Sequence, residues 1–144
     1  MHRALEEAEK AAERDEVPVG AVLVDGATGK VIAAAGNRTE NANDPTAHAE
    51  MLVIRAAAER RRSSRLDGCD LYVTLEPCPM CASAISLARV RRLYFGAYDP
   101  KGGGVEHGAR VFEQASCHHK PEVYGGIEET QSAELLKRFF RERR

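Results

Sequence analysis

The 144-residue chain is predicted to fold as a three-layer α/β/α unit around a central mixed, mostly five-stranded sheet. Three observations predict it. Apolar, β-branched runs alternate with stretches of helical periodicity along the whole chain. The first two runs are separated only by a glycine-bounded turn, so they form an antiparallel hairpin. The third and fourth are separated by a helix, so they lie parallel through a right-handed crossover.

The elements follow in order. Ala4, Leu5, Ala8, Ala11 and Ala12 form one stripe of a helix over 3–14. Pro18 to Asp25 is a strand, Gly26-Ala27-Thr28-Gly29 a turn, and Lys30 to Ala35 the return strand. Residues 37–43 form a polar loop. Asp44-Pro45 has the pattern of an N-cap with proline at the first helical position, opening a helix to about Arg62. Cys69 to Leu75 is the third strand, and Pro77 opens a helix to about Ala88. Val90 to Gly96 is the fourth strand, and Gly102-Gly103-Gly104 is expected to be a mobile loop. A short helix over 109–114, a short strand over 122–125 and a terminal helix over 128–141 complete the chain.

Length and composition bound the class. With 43% apolar and 30% charged residues, this is an ordinary globular composition, expected as one domain over 1–144. The N-terminus lacks the apolar core of a signal peptide, and no apolar run approaches the roughly 18 residues that cross a bilayer. A cytosolic location is expected, where thiols stay reduced. There a Cys-x-x-Cys pair reads as metal ligands or redox chemistry rather than a disulfide framework. The net charge of −1 is uneven. Residues 137–144 hold five bases and one acid, a local +4 against −5 for the rest. A basic, aromatic-bearing tail on an acidic body suits an anionic partner, and equally suits compensation of a helix dipole.

Two fragments carry chemistry: His48-Ala49-Glu50 and Pro77-Cys78-Pro79-Met80-Cys81. One imidazole and two thiolates can hold zinc and leave its fourth tetrahedral position to water. Water bound there falls in pKa from about 16 to roughly 7. Glu50, two residues past the histidine, can move that water's protons. Each fragment has a plainer reading on its own. Pro-Cys-x-x-Cys serves redox pairs and structural zinc knuckles, and a lone histidine or glutamate is ordinary. A structural site would need a fourth protein ligand, for which Cys69, Cys117, His107, His118 and His119 are available. Cys69 is expected to be buried, and His118-His119 to face solvent. Together the fragments match the pattern of zinc nucleobase deaminases, and the two helix N-termini they start would favour thiolate and hydroxide.

Beyond the zinc motifs, further stretches carry a family resemblance: Glu16-Val17-Pro18-Val19-Gly20-Ala21-Val22-Leu23-Val24, Gly36-Asn37-Arg38 and Asp44-Pro45-Thr46-Ala47-His48-Ala49-Glu50. Leu71-Tyr72-Val73-Thr74-Leu75-Glu76-Pro77-Cys78-Pro79-Met80-Cys81, Phe95-Gly96-Ala97-Tyr98-Asp99 and Phe139-Phe140-Arg141-Glu142-Arg143-Arg144 extend it. Over nearly its whole length the chain resembles the cytidine-deaminase-like superfamily and, within it, the bacterial tRNA-specific adenosine deaminases (TadA type). That resemblance implies conversion of adenosine to inosine at the first anticodon position of a tRNA, typically an arginine tRNA, by a homodimer with one zinc ion per subunit. It implies His48, Cys78 and Cys81 as zinc ligands and Glu50 as the proton shuttle. Asn37 would hydrogen-bond the flipped nucleoside, and Asp99 would contact a ribose 2′-hydroxyl. Lys101, Arg141, Arg143 and Arg144 would meet phosphates, and Phe139 or Phe140 would stack or wedge. The glycine-rich loop 101–108 departs from the family's small-residue pattern.

Two other functions stand beside this one. A deaminase of free guanine or cytidine shares the zinc core and needs no basic tail. A zinc-stabilised RNA-binding module without catalysis has no use for Glu50.

Overall fold

The computed structural model describes residues 1–143, and Arg144 lies outside the described residues. Among the described residues there are ten elements, which we number in chain order: α1 (His2–Glu13), β1 (Gly20–Asp25), β2 (Val31–Gly36), α2 (Ala49–Arg61), β3 (Cys69–Leu75), α3 (Pro79–Leu87), β4 (Arg92–Ala97), a 3₁₀ turn (Val111–Glu113), β5 (Glu122–Tyr124) and α4 (Glu129–Glu142). The sheet order is β2-β1-β3-β4-β5. β1 runs antiparallel to both β2 and β3, whereas β3, β4 and β5 are mutually parallel. The expected hairpin, crossover and mixed sheet are all present.

Side chains alternate across this sheet. On one face Ala21, Leu23, Leu71, Val73, Leu93 and Phe95 are buried together with Val53 and Ala57 of α2 and Ile85 of α3. On the other, α1 lies on β1 and β2, and α4 on β4. The core is therefore double-sided, with helices on both faces of one sheet. Tyr72, Tyr94 and Tyr124 are in register on adjacent strands and stack at ring-centroid distances of 4.5 and 5.1 Å. Cys69 is fully buried at the start of β3, as expected.

Both central helices begin later than the sequence pattern suggests. Asp44 does not cap a helix. Its Oδ1 accepts hydrogen bonds from the Thr46 N–H and hydroxyl, at 2.8 and 2.7 Å, closing a local turn. The helix then starts at Ala49, with His48 as its N-cap. Likewise α3 starts at Pro79 rather than Pro77, with Cys78 as its N-cap. A residue before proline is driven out of the helical region, and Cys78 has ψ 170°. The glycine-rich loop also differs from expectation. Gly103, Gly104 and Val105 are buried and hydrogen-bonded rather than free.

These topological facts place the site. The ends of β2, β3 and β4 and the start of antiparallel β1 all lie at one edge of the sheet. The N-termini of α2 and α3 open at that same edge, the usual place for ligands in open α/β sheets. Among the described residues no helix is long and apolar enough to cross a membrane.

Candidate active site

The two helix caps are themselves candidate metal ligands. Cys81 lies at the third position of α3, so Cys78 and Cys81 stand on one helix start and His48 on another. The ligating atoms of His48, Cys78 and Cys81 lie within 4.8 Å of one another. His48 Nδ1 is 3.6 Å from Cys78 Sγ and 3.5 Å from Cys81 Sγ. A tetrahedral zinc with Zn–S of about 2.3 Å and Zn–N of about 2.05 Å requires an N···S separation of about 3.6 Å. The donor set therefore fits zinc in both identity and spacing.

Among the described residues this cluster has three members; of the five alternative fourth ligands three are engaged elsewhere, and Cys69 is buried at the start of β3. His107 Nδ1 pairs with Glu76, His119 Nε2 bonds the Val90 carbonyl, and Cys117 Sγ lies against Ser86. His119 is thus half-buried and bonded rather than solvent-facing, while its neighbour His118 is exposed. Three protein ligands leave the position that a catalytic zinc needs.

The local electrostatics prepare the thiols for a cation. The hydrogen bond from the Cys81 thiol, joined by His48, outweighs burial and lowers the Cys78 pKa to about 4. The same Cys81–Cys78 bond, with burial and the nearby Glu50, pushes the Cys81 thiol upward. His48 is raised through its hydrogen bond with Cys78. A divalent cation bound between the two sulfurs would take the place of the thiol proton. Glu50, at the second position of α2, is only 4% exposed. Burial raises its pKa to about 7, near the optimum for a group that both takes and returns a proton.

A cavity of about 320 Å³ opens above this floor, walled by Val17, Asn37 and Thr39 on one side and Leu75, Asp99 and Gly102 on the other. That volume suits a small molecule or one extruded base. Asn37 has a defined orientation. Its Oδ1 accepts the Ala49 N–H at 2.8 Å, and Arg14 holds its carbonyl at 3.2 Å. With the oxygen committed, its amide NH₂ remains as the donor facing the cavity.

Each wall is fastened by a buried glutamate to which the sequence pattern had given no role. Glu16, 1% exposed, accepts the Thr39 hydroxyl and the Glu40 and Asn41 N–H groups. Glu76, 2% exposed, holds the loop after β4. Most of their partners are backbone amides 23–31 residues away, which leave no mark in a side-chain pattern. The one legible trace is the glycine pair 103–104, whose close contacts exclude a side chain. A Cβ on Gly103 would stand 2.4 Å from Glu76 Oε2, and one on Gly104 2.6 Å from Pro79 N.

The remaining expected contacts are not gathered into this floor. Asp99 is half-buried on the wall, and Lys101 is exposed beside it. Phe139 is buried at 6% exposure, while Phe140 leaves half its surface open. Arg141 is exposed. Arg143 lies 3.6 Å from the Phe139 ring centroid and pairs with Asp15. Arg144 falls outside the described residues.

Comparison with known proteins agrees with this geometry. Residues 1–97 match the cytidine and deoxycytidylate deaminase zinc-binding region. The tRNA-specific adenosine deaminase of Agrobacterium fabrum is 63% identical over 144 residues, spanning all of this chain and 93% of that one. A structure from work on A-to-I editing by tRNA:A34 deaminases at the wobble position superposes with a TM-score of 0.92 at 63% identity, over 94% of this chain and 97% of that one. A guanine deaminase from Nitrosomonas europaea shares the fold at 23% identity, with a TM-score of 0.78 over 96% of this chain and 81% of its own. The chain belongs to the tRNA-specific adenosine deaminases, within the cytidine and deoxycytidylate deaminase family.

Proposed function

We infer that this chain hydrolyses adenosine to inosine at the wobble position of a tRNA, releasing ammonia. The observation that carries the reading is the joint presence of a three-ligand cluster at zinc spacing and a buried glutamate poised near pH 7. His48, Cys78 and Cys81 would hold a zinc ion, which would supply a Lewis acid able to make water nucleophilic at neutral pH. Glu50 takes a proton from the attacking water and delivers it to N1 of adenine. The water oxygen bonds to C6, and a second proton, from that new C6 hydroxyl, passes through Glu50 to the exocyclic amino group as the C6–N bond breaks and ammonia leaves. Asn37 donates its amide NH₂ to an acceptor on the flipped base.

The finer recognition is part of the same reading. Asp99 contacts a ribose 2′-hydroxyl, and Lys101 and Arg141 contact phosphates, with Arg143 and Arg144 adding positive charge at the tail. Phe140 is the ring free to stack, whereas Phe139 serves the core. The substrate is the anticodon stem-loop, and an arginine tRNA fits the family. A homodimer in the cytoplasm completes the proposal. Leu87, 80% exposed at the end of α3 beside a groove of about 300 Å³, offers an apolar surface for a second copy.

The test is direct. Zinc-loaded protein is incubated with an anticodon stem-loop carrying adenosine at the first anticodon position, and separately with free guanine and free cytidine. Inosine formed only in the stem-loop supports the reading. Turnover of the free compounds alone assigns the chain to free-base deamination instead.

A further inference from the structure

We infer that Glu76 is a positioning residue, whose carboxylate clasps the loop over residues 99–107 to the turn carrying Cys78 and so sets the width of the nucleoside pocket. This role rests on the deaminase reading of the same pocket and deepens it.

Glu76 is the central residue of Thr74-Leu75-Glu76-Pro77-Cys78, where β3 gives way to α3. Its own N–H donates to the Ala97 carbonyl at 2.8 Å, extending the β3–β4 pairing past the last strand residues. Its side chain is wholly buried. A carboxylate so placed must find donors or become neutral, and this one finds five. Oε1 accepts the Asp99 N–H at 3.0 Å and pairs with His107 Nδ1 at 2.8 Å. Oε2 accepts three successive backbone N–H groups, from Val105, Glu106 and His107, at 3.2, 2.9 and 3.1 Å. Consecutive amides turned inward on one oxygen form an anion-binding nest, and here the anion is supplied by the protein itself.

The loop is also fastened to the metal-bearing turn directly. Gly104 N–H donates to the Pro77 carbonyl at 2.8 Å. Within the loop, Asp99 accepts both the Gly102 N–H, on Oδ1, and the Gly103 N–H, on its carbonyl. Asp99 and Gly102 line the cavity. One carboxylate therefore links the wall at 99–102, through 103–107, to the residue two before Cys78. The floor residues His48, Glu50 and Cys78 are held separately by α2 and α3. A loosened clasp should consequently displace the substrate wall and leave the floor in place. The signature is weaker substrate engagement with chemistry largely retained.

The experiment uses the zinc-loaded full chain and compares it with Glu76→Gln, His107→Ala and the double variant. Zinc content, amide hydrogen exchange over 103–107 and steady-state kinetics on the wobble-adenosine stem-loop are measured, with rates expressed per zinc-loaded chain. In Glu76→Gln, which turns one acceptor oxygen into a donor facing N–H groups, zinc stays at one per chain. Exchange at 105–107 quickens at least tenfold, and KM rises at least tenfold while kcat stays within threefold. His107→Ala removes one donor of five and raises KM about threefold, so the test stands even should Glu76→Gln fail to fold. The double variant is no worse than Glu76→Gln, because both act through one clasp. Unchanged KM, a drop confined to kcat or tracking zinc content, or unchanged exchange at 105–107 overturns the inference. A wild-type chain inactive on the stem-loop would instead defeat the deaminase reading, while the exchange measurement still decides the clasp.

Discussion

Glu50 and Glu76 are the same residue type, almost equally hidden from solvent, and they titrate in opposite directions. Around Glu50, at the pocket floor, burial dominates and raises the pKa to about 7. Around Glu76 burial also pushes upward, but the Asp99 N–H, the His107 ring and the Glu106 and Val105 amides outweigh it and hold the carboxyl below its ordinary value. Burial alone therefore does not make a proton carrier. What matters is whether the anion is solvated by the protein. An under-solvated carboxylate can gain and lose a proton near neutral pH. A fully solvated one remains an anion and serves as a fixed post for a loop.

The sharpest way to break this contrast is Glu50→Gln. The variant should fold, keep its zinc and lose about 10²–10⁴-fold in kcat or more on the stem-loop. Single-turnover deamination at the wild-type rate would remove Glu50 from the mechanism. Zinc removal comes next. Chelation should abolish activity, and at free zinc a thousandfold above Kd the metal should stabilise the fold by about 4 kcal/mol. Thermal melts with and without chelator, followed by zinc add-back, check both statements.

Glu76→Gln should instead destabilise by about 1–3 kcal/mol, the cost of mismatched buried donors. The pH dependence has a definite sign. A carboxyl depressed in the folded state contributes stability above its unfolded pKa, which is lost as pH falls through the folded value. The gap between wild type and Glu76→Gln should be full at neutral pH and close as pH drops below about 4.5. Denaturant titrations across that range test it, and a gap independent of pH would contradict an ionised Glu76. The smallest effect concerns the tail. Deleting 141–144 should flatten the salt dependence of RNA binding by about 0.7 in log–log slope for each phosphate that the tail no longer neutralises. An unchanged slope would leave the arginines as helix-end charge, consistent with the packing of Arg143 on Phe139 and its pairing with Asp15.

The floor was legible in the sequence because its chemistry is local. His48 and Glu50 are two residues apart, Cys78 and Cys81 three, and each pair occupies one helix start, so motif spacing carries geometry. The opening hairpin and the parallel β3–β4 crossover followed from connection lengths in the same way. Asn37 and Asp99 of the walls were named through the family resemblance, but the groups that fasten the walls were not legible. Glu16 and Glu76 act on backbone amides far along the chain, and any residue supplies an amide. A glycine run reads as freedom when it in fact marks close packing against Glu76 and Pro79. Asp44-Pro45 misplaced a helix start because an Asx turn and an N-cap share the same side-chain chemistry.

Zinc-edge X-ray absorption on the purified, metal-loaded chain tests the open three-ligand site most directly. The spectrum should show two sulfurs at about 2.3 Å and two lighter atoms at about 2.0 Å, one of them exchangeable with solvent or inhibitor. A third sulfur, or four protein ligands with no exchangeable position, would contradict it and leave Glu50 with no water to activate.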